Sequence, residues 1–395
     1  MTTTTAFEIA ARFAAVKSSP VRDIQAVIAR PDVITFAGGT PDASLLERAD
    51  FAAAFDYVLT HQAKRALQYA GTPGEPELLE QLALRTSRQL PTPPDQLQVT
   101  SGSQEAIFLV GQVLLNAGDV ILVEEPTYMA AVQAFTLSGA RLIAVPTDDH
   151  GVLPDALAEA IATHHPKFVY LIPTFQNPSG RTMPAQRRAE VAEVLLRTRT
   201  PLIEDDPYGE LRFEGEAIPP IASLPGMSAQ TILFQTASKV MAPGVRIGWL
   251  RAEGPILRAI EIAKQAIGLH SAVTDQLAVA RYLATCDLDA HIAKVNAVYR
   301  ERRDAMAESL ATVLPAGATV TRPEGGMFLW ARLGGDVDTT AMLPTAVEAG
   351  VAYVPGRAFL LADPDDTTMR LSYVTNSPEV IAEGVGRLAK VFGWV

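Results

Sequence analysis

Lys239 lies in the run Phe234-Gln235-Thr236-Ala237-Ser238-Lys239, and Arg246 follows in Ala242-Pro243-Gly244-Val245-Arg246-Ile247-Gly248-Trp249. A lysine acts as a nucleophile only where its ammonium is desolvated or crowded by other positive charge. The Thr236 and Ser238 hydroxyls, with a guanidinium nearby, suit an anion and most naturally a phosphate. A nucleophilic amine beside a phosphate cradle matches a ligand that carries an aldehyde and a phosphate. One lysine after a strand is ordinary by itself, so the weight rests on what accompanies it.

Three further segments carry chemistry. Thr100-Ser101-Gly102-Ser103-Gln104 joins a strand to a helix, and free N–H groups at a helix N-terminus with Ser103 and Gln104 side chains make a phosphate site. Pro173-Thr174-Phe175-Gln176-Asn177-Pro178 follows a buried strand, so Asn177 can aim its amide at a bound ring or carboxylate. Glu204-Asp205-Asp206-Pro207-Tyr208 closes the next strand. A carboxylate there is unfavourable unless it meets a positive partner. A protonated pyridine nitrogen is such a partner, and pairing with it keeps the ring an electron acceptor. Tyr208 is placed to hydrogen-bond a phenolic ring oxygen. With Lys239 and the cradle, these residues point to pyridoxal 5'-phosphate. No G-x-G-x-x-G follows a strand, so a dinucleotide site of the usual form is not supported.

The elements that must position these residues are legible between Asp95 and Ala252. Strands are expected over Gln96 to Thr100, Val120 to Val123, Arg141 to Val145, Phe168 to Pro173, Pro201 to Glu204, Thr231 to Phe234 and Arg246 to Arg251. Helical patterns alternate with them at Gln104 to Asn116, Tyr128 to Ser138, Pro154 to His164 and Pro184 to Arg197. Nearly unalternating apolar strands with helices between them predict an α/β fold with a mainly parallel, seven-stranded sheet. Such sheets bind ligands at the carboxyl ends of their strands. Ser103, Tyr128, Asn177, Asp205 and Lys239 each fall just after an expected strand. Further along come helices at Gln276 to Cys286 and Asp289 to Leu314. A smaller α/β unit follows, with strands near Ala318 to Thr321, Gly326 to Leu333, Val351 to Val354 and Thr368 to Tyr373. The chain is expected to close with a helix over Pro378 to Phe392. Phe7 to Ala29 reads as helical. The resulting division is 1–45 as an N-terminal segment joining the small domain, 46–285 as the large cofactor-binding domain, and 286–395 as the C-terminal small domain.

The chain has 395 residues, a net charge of −11, 48% hydrophobic residues and one cysteine, Cys286. Scattered basic residues in an acidic chain argue against nucleic-acid binding, whose affinity rests on concentrated positive charge. A disulfide within the chain and a cysteine-built metal site are excluded, which fits a reducing, cytoplasmic setting. No metal is expected, since none of the six histidines has ligand-like spacing. No apolar run is long enough for a membrane span.

The motifs S-G-S-Q, E-E-P-T-Y, F-Q-N-P-S-G, E-D-D-P-Y, T-A-S-K-x-x-x-P-G-x-R-I-G-W and M-R-L-S occur in this order. On them the chain resembles the class I/II aminotransferases of the fold-type I pyridoxal-phosphate superfamily, from about Ser18 to Phe392. Within that family it resembles the 2-aminoadipate/kynurenine branch, which shares its core with the catalytic half of MocR-type regulators. The resemblance implies that Lys239 is the Schiff-base lysine and that Asp205 pairs with the pyridine nitrogen. It assigns Asn177 and Tyr208 to the cofactor's 3-oxygen and Tyr128 to stacking on the ring. Ser103, Gln104, Thr236, Ser238 and Arg246 would hold the phosphate, joined by Tyr69 from a partner subunit in a homodimer with shared active sites. Thr236 departs slightly from relatives that carry Ser, but the hydroxyl is kept.

For the substrate, the resemblance gives Arg370 the α-carboxylate, a bidentate role that Lys would fill poorly, with Asn177 beside it. Gly39 lets backbone approach the substrate closely, and Arg22 resembles an arginine that meets an acidic substrate side chain. The expected reaction is ping-pong transamination through pyridoxamine phosphate. Donors would be 2-aminoadipate, glutamate, or large apolar or aromatic amino acids, with 2-oxoglutarate as an acceptor. A decarboxylase or lyase on the same fold, or a MocR-like ligand-sensing domain, stands as the alternative, since fold alone does not decide reaction type.

Overall fold

Seven short strands, buried along most of their length, build the main sheet of the computed structural model, which describes residues 7–13, 30–362 and 365–394. They are β1 (Leu97–Thr100), β2 (Val120–Glu124), β3 (Arg141–Val145), β4 (Val169–Leu171), β5 (Leu202–Asp205), β6 (Thr231–Thr236) and β7 (Gly248–Arg251). Their spatial order is β1-β7-β6-β5-β4-β2-β3. Neighbours from β6 through β3 pair in parallel. β7 is antiparallel to both β1 and β6. The expected mainly parallel sheet is therefore mixed at one place, and chain length explains why. A parallel return needs a crossover of a dozen or more residues, and the segment 237–247 that carries Lys239 and Arg246 is too short for one.

Alternation within the apolar strands feeds two cores. In β5 Leu202 faces one cluster and Ile203 the other, and in β4 Val169 and Leu171 oppose Tyr170. One face packs under Ile107 and Val110 of the helix Ser103–Leu114, Phe135 of Met129–Leu137 and Ile260 of Pro255–Gly268. The other packs under Leu157 of Pro154–His164 and Leu195 of Ala185–Thr198. Each fully buried Leu or Ile contributes about 1.5–3 kcal/mol relative to exposure. Coverage of both faces leaves the strand ends as the place where polar groups collect.

The long helix Leu288–Val313 leads into the smaller domain, and Asp287 caps it by accepting from the Ala290 N–H at 3.0 Å. There the strands Thr319–Val320, Phe328–Arg332, Thr368–Ser372 and Val354–Pro355 form a four-stranded sheet in that order. Arg370 sits on a central strand of it, paired across to Trp330 and Val354. The strand expected over Val351 to Val354 divides in two, because Val351–Ala352 pairs instead with Ile34–Thr35 in a separate parallel ladder. Of the helix expected over Phe7 to Ala29, Ala11–Phe13 is a single 3-10 turn, and 14–29 lie outside the described residues. Among the described residues no helix is long and apolar enough to cross a membrane.

Candidate active site

A cavity of about 370 Å³ opens at the carboxyl ends of the main-sheet strands. The ends of β1, β4, β5 and β6 and the segments that follow them bring Ser103 and Gln104, Asn177, Asp205 and Tyr208, and Ser238 and Lys239 to its wall. Tyr128, Thr236 and Arg246 join them, while Gly39, Phe328 and Arg370 enter from outside the main sheet. Residues scattered over more than three hundred positions of chain thus share one small space.

Lys239 Nζ donates to the Gly39 carbonyl at 2.8 Å. Burial disfavours its ammonium, the Arg370 and Arg246 charges add to that, and Asp205 opposes them; the lysine is pushed down to about 8. About a tenth of it is then neutral at pH 7, a far larger fraction than in an ordinary lysine. The side chain meets both conditions for a nucleophilic amine.

Three consecutive acids end β5 with three different fates. Glu204 Oε1 and Oε2 accept the N–H groups of Ile221 and Ala222, both at 2.8 Å, so it is a structural cap. Asp206 is half-buried and does not line the cavity. Asp205 lines it: Oδ2 accepts from the Tyr170 hydroxyl at 2.6 Å, while Oδ1 is buried with no partner among the described residues. Burial pushes Asp205 up to about 7, against the Tyr170 hydrogen bond and with the help of the Asp206 charge. A buried acceptor of this kind is costly unless a ligand donor or cation meets it. The carboxylate is waiting for a positive partner.

The opposite end of the cavity is built for an anion. Ser103 begins its helix after Gly102, whose φ of +80° is glycine's region and which supplies no side-chain cap to the first N–H groups. A Cβ at Gly102 would collide with the Arg246 guanidinium, and one at Gly248 would come within 2.7 Å of the Ser103 nitrogen. Both glycines are needed for this close approach. Arg246, in the left-handed region at φ 51°, donates from Nη2 to the Ser101 carbonyl at 2.9 Å. Thr236 Oγ1 donates to Ser238 Oγ at 3.0 Å and accepts the Ser238 N–H at 3.1 Å, folding the two hydroxyls together.

Arg370 faces Lys239 from the smaller domain. Nη1 donates to Asn177 Oδ1 and Nη2 to the Ala37 carbonyl, each at 3.0 Å, while Nε is buried with no partner among the described residues. The guanidinium lies over Phe328 at 4.2 Å and Phe359 at 5.1 Å from the ring centroids, an arrangement that favours the cation. Burial lowers it to about 10, so it remains charged near neutral pH. Asn177 Nδ2 donates to the Tyr208 hydroxyl at 3.4 Å. Tyr208 is pushed upward by burial and keeps its proton.

An amine, a carboxylate awaiting a cation, an anion cradle and a carboxylate clamp in one cavity are matched by family membership. The family model for aminotransferase class I and II covers residues 31–388. The chain belongs to the class I and II aminotransferases. It is 40% identical over 381 residues to aromatic-amino-acid aminotransferase 1 of Thermococcus litoralis, spanning 95% of this chain and 91% of that one. The structure of α-aminoadipate aminotransferase from Thermus thermophilus, complexed with N-(5'-phosphopyridoxyl)-L-leucine, superposes with a TM-score of 0.91 at 33% identity, over 98% of this chain and 97% of that one. Kynurenine aminotransferase from Pyrococcus horikoshii, in complex with PMP, gives 0.93 at 37% identity over 98% and 96%.

This aminotransferase has the fold of its relatives, and its cofactor is pyridoxal 5'-phosphate. The unpartnered Asp205 Oδ1, the uncapped helix N-terminus beside Arg246 and the desolvated Lys239 all fit that group. Tyr69, expected to act in a partner subunit's site, does not line this chain's cavity. It is 79% exposed, its ring edge-on to His270, and Arg22 lies outside the described residues. Two contributors were not anticipated. Tyr170 holds Asp205, and Phe328 backs Arg370. The signal for Tyr170 is a hydroxyl in an otherwise apolar strand, two positions out of register with Asp205 on the neighbouring strand.

Proposed function

We propose that the aminotransferase moves the α-amino group between an L-amino acid (2-aminoadipate, glutamate, or a large apolar or aromatic residue) and a 2-oxo acid such as 2-oxoglutarate, in a ping-pong cycle. The observation that carries this reading is a pair of unsatisfied buried groups, Asp205 Oδ1 and Arg370 Nε, in the cavity that holds Lys239. One suits a ring cation and the other a substrate carboxylate. The names of relatives that act on aromatic amino acids, α-aminoadipate and kynurenine support the substrate range.

When bound, pyridoxal 5'-phosphate supplies an aldehyde and a ring that accepts the electron pair left at the substrate α-carbon. Ser103, Gln104, Thr236, Ser238 and Arg246 hold the phosphate through backbone N–H groups, hydroxyls and one guanidinium. Asp205 would keep a proton on the ring nitrogen, Asn177 and Tyr208 would donate to the ring oxygen, and Tyr128 would cover the ring. Lys239 would hold the aldehyde carbon and, once freed by the substrate amine, would be the group that removes the α-proton and delivers it to the carbon on the far side of the nitrogen. Arg370 fixes the α-carboxylate, so carbon dioxide is retained and transamination is favoured over decarboxylation. Arg22 is assigned to acidic substrate side chains, with Gly39 allowing close backbone approach.

A panel of amino donors with 2-oxoglutarate tests the substrate range. Arg370→Lys should lower kcat/KM for every donor by about 100-fold, the worth of a lost charged hydrogen-bond pair at ~3 kcal/mol. Arg22→Ala should harm 2-aminoadipate and spare leucine. Equal losses for both donors would remove Arg22 from specificity, and intersecting initial-rate lines would rule out the ping-pong order.

We further assign the enzyme a homodimeric state in which Tyr69 reaches the partner's phosphate site. Leu67 at 75% exposure and Tyr69 at 79% leave two large apolar side chains uncovered, close together in the chain. Sedimentation equilibrium should give twice the chain mass, and Tyr69→Phe should weaken cofactor retention. A fully active monomer overturns this assignment.

A further inference from the structure

Behind the anion cradle stands a buried charge pair that transamination leaves unused. Lys264, on the helix Pro255–Gly268, has a side chain only 1% exposed. Its Nζ donates to Glu105 Oε1 at 2.9 Å, Glu105 Oε2 at 2.8 Å and Ser271 Oγ at 3.1 Å. Glu105 belongs to the first turn of the helix Ser103–Leu114. Its Oε2 also accepts the Ser101 N–H at 2.5 Å. The carbonyl of that same Ser101 receives Arg246 Nη2 at 2.9 Å. Ser101 is thus held on its N–H side by Glu105 and on its carbonyl side by Arg246, immediately before the N–H groups that begin the helix.

Charge makes this arrangement more than a brace. A carboxylate in a helix's first turn suits the helix dipole, but it competes for the same positive end that would bind a phosphate. Left alone, Glu105 would repel a dianion across a region of low dielectric. Lys264 could not stay charged in the interior without a partner. Each ion answers the other's difficulty, and the cradle keeps the positive charge of Arg246 undiminished.

We infer that Glu105 is a positioning residue for the phosphate-binding loop and that Lys264 cancels its charge, keeping the loop receptive to a dianion. This rests on the proposed assignment of Ser103, Gln104, Thr236, Ser238 and Arg246 to the cofactor phosphate. The readout is the dissociation constant of pyridoxal 5'-phosphate from the full chain stripped of cofactor, followed by fluorescence quenching, with inorganic phosphate as competitor. Lys264→Met should weaken both ligands at least about tenfold, or 1.4 kcal/mol. Adding Glu105→Gln to it should restore most of the loss, since the offending charge is gone and an acceptor for the Ser101 N–H remains. A double variant as weak as Lys264→Met, or a Lys264→Met that binds like the parent, overturns the inference. If Lys264→Met does not fold, Glu105→Ala and Glu105→Gln decide. Weak binding by Ala with rescue by Gln supports positioning, and parental binding by Glu105→Ala overturns it. Arg246→Ala separates the two layers: parental binding there removes the cradle assignment itself.

Discussion

Lys239→Ala should lower kcat by at least about 10²–10⁴-fold, the range that a positioned proton-transfer group commands, and should abolish the visible absorbance of the enzyme–cofactor complex. The proposed reaction gives this side chain two jobs, so the loss should stand at or beyond the upper end of that range. Among the described residues Lys239 is the only lysine lining the cavity, and no other described amine stands ready to take over. Its pH behaviour follows from its surroundings. Burial, then Arg370 and Arg246, bring the lysine from 10.5 to about 8. The neutral amine is the reactive form, so the rate at which the stripped chain captures the cofactor should rise with pH and level off above about 8. A profile still climbing toward 10.5 would show that the desolvation argued for Lys239 is absent. The ordering of variants is also fixed: Arg370→Leu removes a neighbouring positive charge and should move the plateau to higher pH.

Much of this was legible because the chemistry sits where a parallel sheet must place it. Asn177, Asp205 and Lys239 follow apolar strands, and the carboxyl ends of those strands meet at one edge whatever the register. The elements that escaped depend on pairing between distant segments. Tyr170 reaches Asp205 only because β4 and β5 lie side by side with Tyr170 opposite Ile203. Phe328 meets Arg370 because their strands are neighbours in the four-stranded sheet. Lys264 and Glu105 are 159 positions apart, and nothing in their local sequence pairs them. The antiparallel setting of β7 follows from the length of one loop, which strand patterning alone does not weigh. Even the split of Val351 to Val354 has this origin, since Ile34–Thr35 competes for half of that strand.

Asp205→Asn should cost activity and increase stability at once. Under the proposed assignment, losing the anion leaves the ring nitrogen without a counter-charge, and removal of one electrostatic stabiliser of this kind lowers kcat by on the order of 10²–10³-fold. The stability effect runs the other way. Burial raises Asp205 from 3.8 in the unfolded chain to about 7 in the folded protein. Folding therefore favours its protonated form. The associated stability is fully present below pH 3.8 and is lost as pH rises through about 7. At pH 8 the cofactor-free protein carries an unpaired buried carboxylate, a penalty of a few kcal/mol. Asparagine has no charge to desolvate, so Asp205→Asn without cofactor should melt a few degrees above the parent at pH 8. The gain should shrink by pH 5, where the folded parent already holds the proton. Cofactor reverses the order, because a ligand that binds only the folded state stabilises the parent in proportion to its tighter binding. Calorimetry with and without pyridoxal 5'-phosphate, at both pH values, separates these terms. A stripped Asp205→Asn no more stable than the parent at pH 8, or a gain independent of pH, would show that Asp205 is not the strained counter-ion. With the predicted pattern, the instability of the empty site becomes the driving force with which it holds its cofactor.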